Sequence, residues 1–372
     1  MKKMIVSSGL LASRVINLAK IISFKNTLAA LDNLVFTVKD GICNIMAADI
    51  ESQVSTNIQL DESDDISFGL DARMLLNSLK ELAEQPLTFN FNEKTRECII
   101  NYHNGKFCIP MTDISDFPAV LVLDAQGQNA VEPGMFRTIV NKCTPYVSND
   151  ELRPVMTGIY FDFKDTLVCA ASDGHSLIRI SVKDSRIGQE GSFILSYKSA
   201  KLCENYVGKQ TTDVAVSFNN NHAKFVFEDY TFITRLIEGR YPNYNSVIPT
   251  NYTDSVLVDR KALLSAIKRV SVFASSASGL LEFNLNGMQL ELQGRDIDFS
   301  TSSMETLLVT KNGCDIRAGL KAVYMSQICS TLDNENINIF YKDASRAFVY
   351  RPETEDEKYD MLLLQMPMML ND

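Results

Sequence analysis

Tryptophan is absent from this sequence, and histidine occurs only at 103, 175 and 222, with no pair at metal-ligand spacing. Cysteine is present eight times, at 43, 98, 108, 143, 169, 203, 314 and 329, but never as Cys-x-x-Cys. That scatter argues against a zinc site and a disulfide framework, and it fits reduced thiols in a cytoplasm. There is no Gly-rich phosphate loop of the Walker type and no dinucleotide fingerprint, so no cofactor is implied. No apolar run approaches the roughly 18 residues that a membrane helix needs, and no membrane partner is expected. The opening Met1-Lys2-Lys3 faintly imitates a secretion signal. Arg14 and Lys20 interrupt the apolar stretch after it, and Leu11, Val15, Leu18 and Ile22 recur at helical spacing instead.

What is present is repetition. The 372 residues are 45% hydrophobic and 22% charged, the composition of a globular protein too long for one core. Amphipathic patterns predict helices over 8–24, 70–84, 132–149, 195–209, 258–275 and 319–334. They fall in pairs, and between the helices of each pair lies a β-branched or aromatic segment: 34–49, 158–173 and 280–296. These segments end on Asp49, Asp173 and Asp296, spaced by 124 and 123 positions. Asp40-Gly41 and Asn286-Gly287 mark tight hairpin turns inside the first and third, and Lys164-Asp165 fills the equivalent place in the second. Asp116-Phe117-Pro118 and Arg240-Tyr241-Pro242 close the first two units with the same period, and the third ends on Met366-Pro367-Met368. The fold class is therefore α+β. Three tandem copies of one domain, each with two helices and antiparallel hairpin-linked strands, occupy 1–125, 126–250 and 251–372.

The net charge of −10 speaks against a nucleic-acid partner until its distribution is considered. The six helix windows hold 14 Lys and Arg against 7 Asp and Glu, so the helices are basic and the remainder is strongly acidic. Arg14, Asn17 and Lys20 lie opposite the apolar stripe of the first helix, and Lys261, Ser265 and Lys268 share one flank of the fifth. A basic helix face in an acidic protein attracts phosphates locally, although an ordinary solvated face has the same pattern. No aromatic residues interleave with the basic ones, which leaves stacking on single strands and base reading without support. A weak, sequence-independent phosphate contact remains.

Three stretches resemble the beta sliding clamp family of bacterial DNA polymerase III. They are Ala171-Ser172-Asp173-Gly174-His175-Ser176-Leu177, the run from Glu238-Gly239-Arg240-Tyr241-Pro242-Asn243-Tyr244 to Val247-Ile248-Pro249, and the terminal Met366-Pro367-Met368. The resemblance covers the whole chain in order. It implies a non-enzymatic processivity factor: a homodimer closing head to tail into a ring around duplex DNA, with sheets outside and helices lining the pore. A 124-residue unit has a radius of gyration near ~14 Å, and six such spheres leave a hole of roughly 35 Å. By resemblance, DNA meets Lys25, Arg73, Arg153 and Lys198, with Asp150 and Pro154 departing from the family's usual contacts. Phe107 of one subunit faces Val272 and Phe273 of the next. A pocket for peptides of the replicative polymerase, the clamp loader and other clamp-binding proteins is formed by Met156, Ser172, Gly174, His175, Leu177, Pro242, Val247, Tyr324, Leu364, Met366, Pro367 and Met368. Methionines suit such a pocket because flexible, polarizable side chains repack around different ligands. Ser176, Ser246 and Met369 stand where arginine is common in the family, so a less basic rim is expected.

Two other readings stay open on the sequence alone. One is a structural scaffold that never meets DNA. The other is a Ser/His/Asp hydrolase built on Ser172, Asp173, His175 and Ser176, although Gly174 lacks the surroundings of a nucleophile elbow.

Overall fold

The computed structural model describes residues 2–23, 28–125 and 127–370. Three repeats succeed one another with the same order of elements. The first comprises β1 (Lys2–Ser7), α1 (Ser8–Leu18), β2 (Asn33–Lys39), β3 (Ile42–Ala48), β4 (Ser52–Gln59), β5 (Ile66–Asp71), α2 (Ala72–Lys80), β6 (Pro86–Asn92), β7 (Glu97–Tyr102) and β8 (Gly105–Pro110). The second comprises β9 (Asn129–Val131), α3 (Pro133–Cys143), β10 (Gly158–Phe163), β11 (Leu167–Ser172), β12 (Ser176–Val182), β13 (Gly191–Ser196), α4 (Tyr197–Val207), β14 (Val214–Phe218), β15 (His222–Val226) and β16 (Thr231–Arg235). The third comprises β17 (Asp254–Asp259), α5 (Arg260–Val270), β18 (Leu280–Asn286), β19 (Gln289–Asp296), β20 (Thr301–Leu308), an extra short β21 (Thr310–Asn312), β22 (Ile316–Lys321), α6 (Ala322–Thr331), β23 (Asn336–Tyr341), β24 (Phe348–Pro352) and β25 (Tyr359–Gln365).

All six helices lie inside the windows read from the sequence, but each is shorter. The reason is local. In every repeat a strand runs straight into its helix through a single capping residue, so apolar strand ends such as Leu70, Leu195, Val258 and Leu320 extend the apparent helical pattern. The caps set the start. Ser7 Oγ accepts from Leu10 N at 3.1 Å, Asp71 Oδ1 from Met74 N at 2.7 Å, and Asp259 Oδ1 from Ala262 N at 2.7 Å. Proline at 145 helps stop the third helix at Cys143. The hairpins fall where the turn residues stand: Asp40 and Gly41 take φ of 51° and 77°, and Gly287 takes 57°.

The chain forms two compact units, 1–137 with 198–236, and 138–197 with 237–372. Each contains one long antiparallel sheet and one of four strands. The first unit has the orders β5-β2-β3-β4-β16-β15-β14-β9 and β1-β6-β7-β8; the second has β13-β10-β11-β12-β25-β24-β23-β17-β21 and β20-β19-β18-β22. A long sheet takes its strands from two successive repeats, so the compact units cut through the middle repeat. The joint is β4 on β16 in the first unit, with Val54 opposite Phe232, and β12 on β25 in the second, with Leu177 opposite Leu364. In each repeat the chain leaving the last strand crosses back over the fifth strand or its equivalent. Thr112 N donates to Gly69 O at 2.9 Å, Ile237 N to Ile194 O at 3.1 Å, and Met368 N to Gly319 O at 2.8 Å. Core packing repeats as well: Phe36 stacks on Phe68 at 4.9 Å between ring centroids, and Phe161 on Phe193 at 5.1 Å. Among the described residues no helix is long and apolar enough to cross a membrane.

Candidate functional site

The turn between β11 and β12 is built by its own side chains. Asp173 Oδ1 accepts from His175 N at 2.9 Å, Ser176 N at 2.7 Å and Ser176 Oγ at 3.1 Å. Ser172 Oγ donates to Ser176 O at 2.7 Å and accepts from Gly174 N at 3.1 Å. Gly174 sits at φ 91°, a conformation that L side chains rarely adopt, and a Cβ there would lie 2.9 Å from Arg153 Nη1 and 3.8 Å from Met156 Cε. His175 stacks nearly parallel on Tyr324 of α6, with ring centroids 6.2 Å apart. Burial, and then a hydrogen bond to Asp173, push the Tyr324 hydroxyl up to about 12. The His175 carbonyl accepts from Met366 N at 2.8 Å, which joins the turn to the C-terminal segment.

Beneath this turn lies an apolar floor. Leu177 and Leu364, paired across the β12–β25 joint, are fully buried with Ala347, Val349 and Leu362. Tyr244, Ile248 and Met366 pack on that cluster from above, each only partly buried. Met368 is half-exposed, and its backbone is pinned to Gly319 rather than released by Pro367, so ladder-like pairing continues for one bridge past the proline. The structure thus brings Met156, Ser172, Gly174, His175, Leu177, Tyr324, Leu364 and Met366 to one place. Pro367 joins Met366 to Met368, which borders the same place along Gly319. Pro242 and Val247 are exposed, and they flank the place through Tyr244 and Ile248 on the segment that covers the sheet. A hydrolase does not result. Both serine hydroxyls and one Asp173 oxygen are committed to the turn, and the imidazole faces a tyrosine ring.

One expectation about the rim is corrected. Ser176 is buried, with its hydroxyl on Asp173, so it is part of the turn and not of a rim. Ser246 and Met369 are exposed. Arg153 provides a guanidinium at the turn. It lies against Gly174 while Nε donates to Asp150 Oδ2 at 2.8 Å, which sets it among the pocket residues rather than apart from them.

The remaining residues lie elsewhere. Lys25 falls outside the described residues. Arg73 is exposed in the first turn of α2. Lys198, in the first turn of α4, is half-exposed and ion-paired with the buried Asp49 carboxylate. Phe107 on β8 is half-buried against Tyr102 at 4.8 Å. Val272 and Phe273 come after α5, exposed by 76% and 41%, and pack beside β19 and β20. Sequence reasoning missed the apolar surface next to them: Phe299 is 76% exposed, Met304 59% and Leu308 83%. Met304 and Leu308 share one face of β20 at period two, a signal lost among neighbouring serines and threonines.

Family models for the DNA polymerase III beta subunit match the chain in order: the N-terminal domain over 2–121, the central domain over 130–243 and the C-terminal domain over 245–368. The chain belongs to the DNA polymerase III beta subunit family. Beta sliding clamps of Staphylococcus aureus strain Mu50 and Staphylococcus epidermidis are 21% and 22% identical, each over 92% of this chain and 94% of the relative. Among solved structures, the DNA polymerase III subunit beta of Pseudomonas aeruginosa superposes with a TM-score of 0.94 at 19% identity, over 99% of this chain and 100% of that one. The beta subunit of Thermotoga maritima gives 0.89 at 23%, over the full length of both. As a sliding clamp of this family the protein is a non-catalytic processivity factor of DNA replication, and the family implies DNA and polymerase as partners.

Proposed function

We propose that two copies of this chain close head to tail into a ring around duplex DNA. The observation that carries this reading is a pair of open strands. The fourth strand of one repeat pairs with the last strand of the next at both internal joints, and the facing residues, Val54 with Phe232 and Leu177 with Leu364, are buried. The third copies of these strands, β20 and β8, are sheet edges, and most of their residues are exposed. An open edge beside Phe299, Met304 and Leu308 is an aggregation hazard unless it has a partner. Pairing β20 of one copy with β8 of another repeats the internal joint and brings Val272 and Phe273 to Phe107. A C2 pair made in this way buries every such edge.

DNA is then held topologically and without regard to sequence, through dispersed contacts from Lys25, Arg73, Arg153 and Lys198. The turn at 172–176, Tyr324 and the methionines at 366 and 368 form the site for an extended peptide with apolar anchors, carried by the replicative polymerase, the clamp loader and other clamp-binding proteins. Its floor is apolar, and the Arg153 guanidinium against Gly174 suits an acidic residue on such a peptide. These partners place the protein in the cytoplasm. The decisive experiment loads the clamp onto nicked circular DNA with an ATP-driven loader. Retention on circles and rapid loss after linearisation is expected; equal retention on both would reject the ring.

A further inference from the structure

Two joints within this chain show how one repeat is locked to the next, and the chain carries the halves of a third. In each repeat an aspartate closes the turn before the fourth strand. Asp49 Oδ1 accepts from Ser52 N at 2.7 Å, Asp173 Oδ1 from Ser176 N at 2.7 Å, and Asp296 Oδ1 from Phe299 N at 3.1 Å. In the first two cases the turn also meets the first turn of the second helix of the next repeat. Lys198 of α4 meets Asp49 Oδ2, and at the second joint the Tyr324 ring of α6 stacks on His175 of the Asp173 turn. Among the described residues no repeat follows the one that holds Asp296. Asp296 is only 8% exposed, and among the described residues the hydrogen bond from Phe299 N is the only polar contact of its side chain. A carboxylate this buried needs a cation or further donors.

The residue of the first repeat that matches Lys198 is Arg73. Each is the second residue of its helix, after Ala72 in α2 and Tyr197 in α4. We propose that Asp296 receives the guanidinium of Arg73 of the partner subunit, as Asp49 receives Lys198 within one chain. This rests on the head-to-tail pairing proposed above. A second feature points the same way. The cleft behind the first joint is walled by Arg14 of α1 and by Asn205 and Asp229 of the next repeat; that behind the second is walled by Lys142 of α3 and by Asp333. The corresponding cleft of the first repeat, beside Glu84 and Tyr102, is lined by that repeat alone and lacks the wall that α5 of a second copy would supply. A guanidinium has five donors, so the pairing leaves Arg73 able to touch phosphate as well.

The test is a double-mutant cycle on dimer dissociation, measured by sedimentation without DNA. Asp296→Asn keeps an oxygen for Phe299 N and so preserves the turn while removing the charge; Arg73→Gln removes its counterpart. Each single change is expected to raise the dimer Kd about tenfold or more, the double change to be no worse than the worse single, and the salt dependence of Kd to flatten in all three. The charge-reversed pair Asp296→Arg with Arg73→Asp should recover part of the affinity. If the unaltered protein proves monomeric, the head-to-tail reading falls and this contact with it. If it is a dimer whose Kd ignores both single changes, or if the two losses simply add, the contact is overturned while the pairing stands. An Arg73→Gln variant that loses DNA retention with an unchanged Kd overturns it too.

Discussion

Gly319 offers a way to move the C-terminal segment without deleting it. A Cβ at this position would lie 2.6 Å from Met368 O, 2.8 Å from Leu280 Cδ1 and 3.2 Å from Leu370 Cδ2. The leucine side chains can rotate, but the carbonyl moves only with the backbone that carries it. Gly319→Ala therefore breaks the bond from Met368 N to Gly319 O, at a cost of about 0.5–1.5 kcal/mol, with overpacking adding about 1–3 kcal/mol. The fold should survive, because β25 remains paired with β12 and β24 as far as Gln365. What changes is the seat of Met366 and Met368. An apolar peptide anchor buried against them gains roughly 1.5–3 kcal/mol, and losing half of that weakens peptide binding by roughly three- to twelvefold. Anisotropy of a labelled clamp-binding peptide from the polymerase reads this directly. The matching change in the first repeat, Gly69→Ala, crowds the Thr112 side chain while the Thr112 carbonyl stays at 3.5 Å, and it should leave peptide affinity unchanged. If Gly319→Ala and a chain cut after Gln365 both stay folded and bind the peptide as before, the assignment of Met366 and Met368 to the site is refuted. If the cut chain unfolds, these residues serve the core instead.

Native mass should be near twice 41.6 kDa, and Phe107→Ala combined with Phe273→Ala should shift ultracentrifugation profiles toward monomer, each ring accounting for up to about 1.5–3 kcal/mol; an unshifted profile counts against those contacts. Loader-independent binding to DNA should be weak, indifferent to sequence and reduced by salt, and tight salt-resistant binding to one sequence would contradict a sliding mechanism. Burial pushes the thiols of Cys43, Cys98 and Cys329 up to about 12 and raises those of Cys143, Cys169 and Cys203, so the folded state keeps protons that the unfolded chain loses. Their contribution to stability is full below about pH 8.5 and is lost as pH rises through 12, which urea midpoints at pH 7.5 and 10.5 will show as a fall. Under native conditions an alkylating reagent at pH 8 should modify Cys108 and Cys314 ahead of the other six.

How much of this could be read from the residues depends on whether the cause is local. Asp49, Asp173 and Asp296 keep their spacing because each caps a turn with its own carboxylate, a function of neighbours in sequence, and so the threefold repeat was legible. The same holds for the Asp40-Gly41 hairpin. Strand-to-helix junctions were blurred because the pattern of burial runs through them without a break. Ser176 was misplaced on a rim because its hydroxyl is drawn inward by Asp173, three residues back, and nothing in its own neighbourhood distinguishes that from exposure. Whether β20 is a joint or an edge is not a property of its residues at all, since it depends on what lies beside it.

The equivalence of the turns also explains why a groove forms at one of them. At the first joint the turn reads Asp49-Ile50-Glu51, and Lys198 satisfies the carboxylate with an ion pair. At the second it reads Asp173-Gly174-His175, and a tyrosine stands near the place of the lysine. Those replacements have two consequences. Ile50 has a side chain where Gly174 has none, so the second turn leaves open the space that Arg153 and Met156 border. An ammonium must keep water or a carboxylate near it, whereas the Tyr324 ring presents an apolar face, against which His175 already stacks. Exchanging a lysine for an aromatic ring and a branched residue for glycine turns a saturated joint into a surface that can accept an apolar side chain. Restoring bulk should reverse this. Gly174→Ile, at φ 91° and 2.9 Å from Arg153, is expected to strain the turn and abolish peptide binding, whereas Tyr324→Lys, which disturbs no backbone, should lower peptide affinity while keeping the fold. A Tyr324→Lys protein with full peptide affinity would show that the ring is not part of the surface the partner uses.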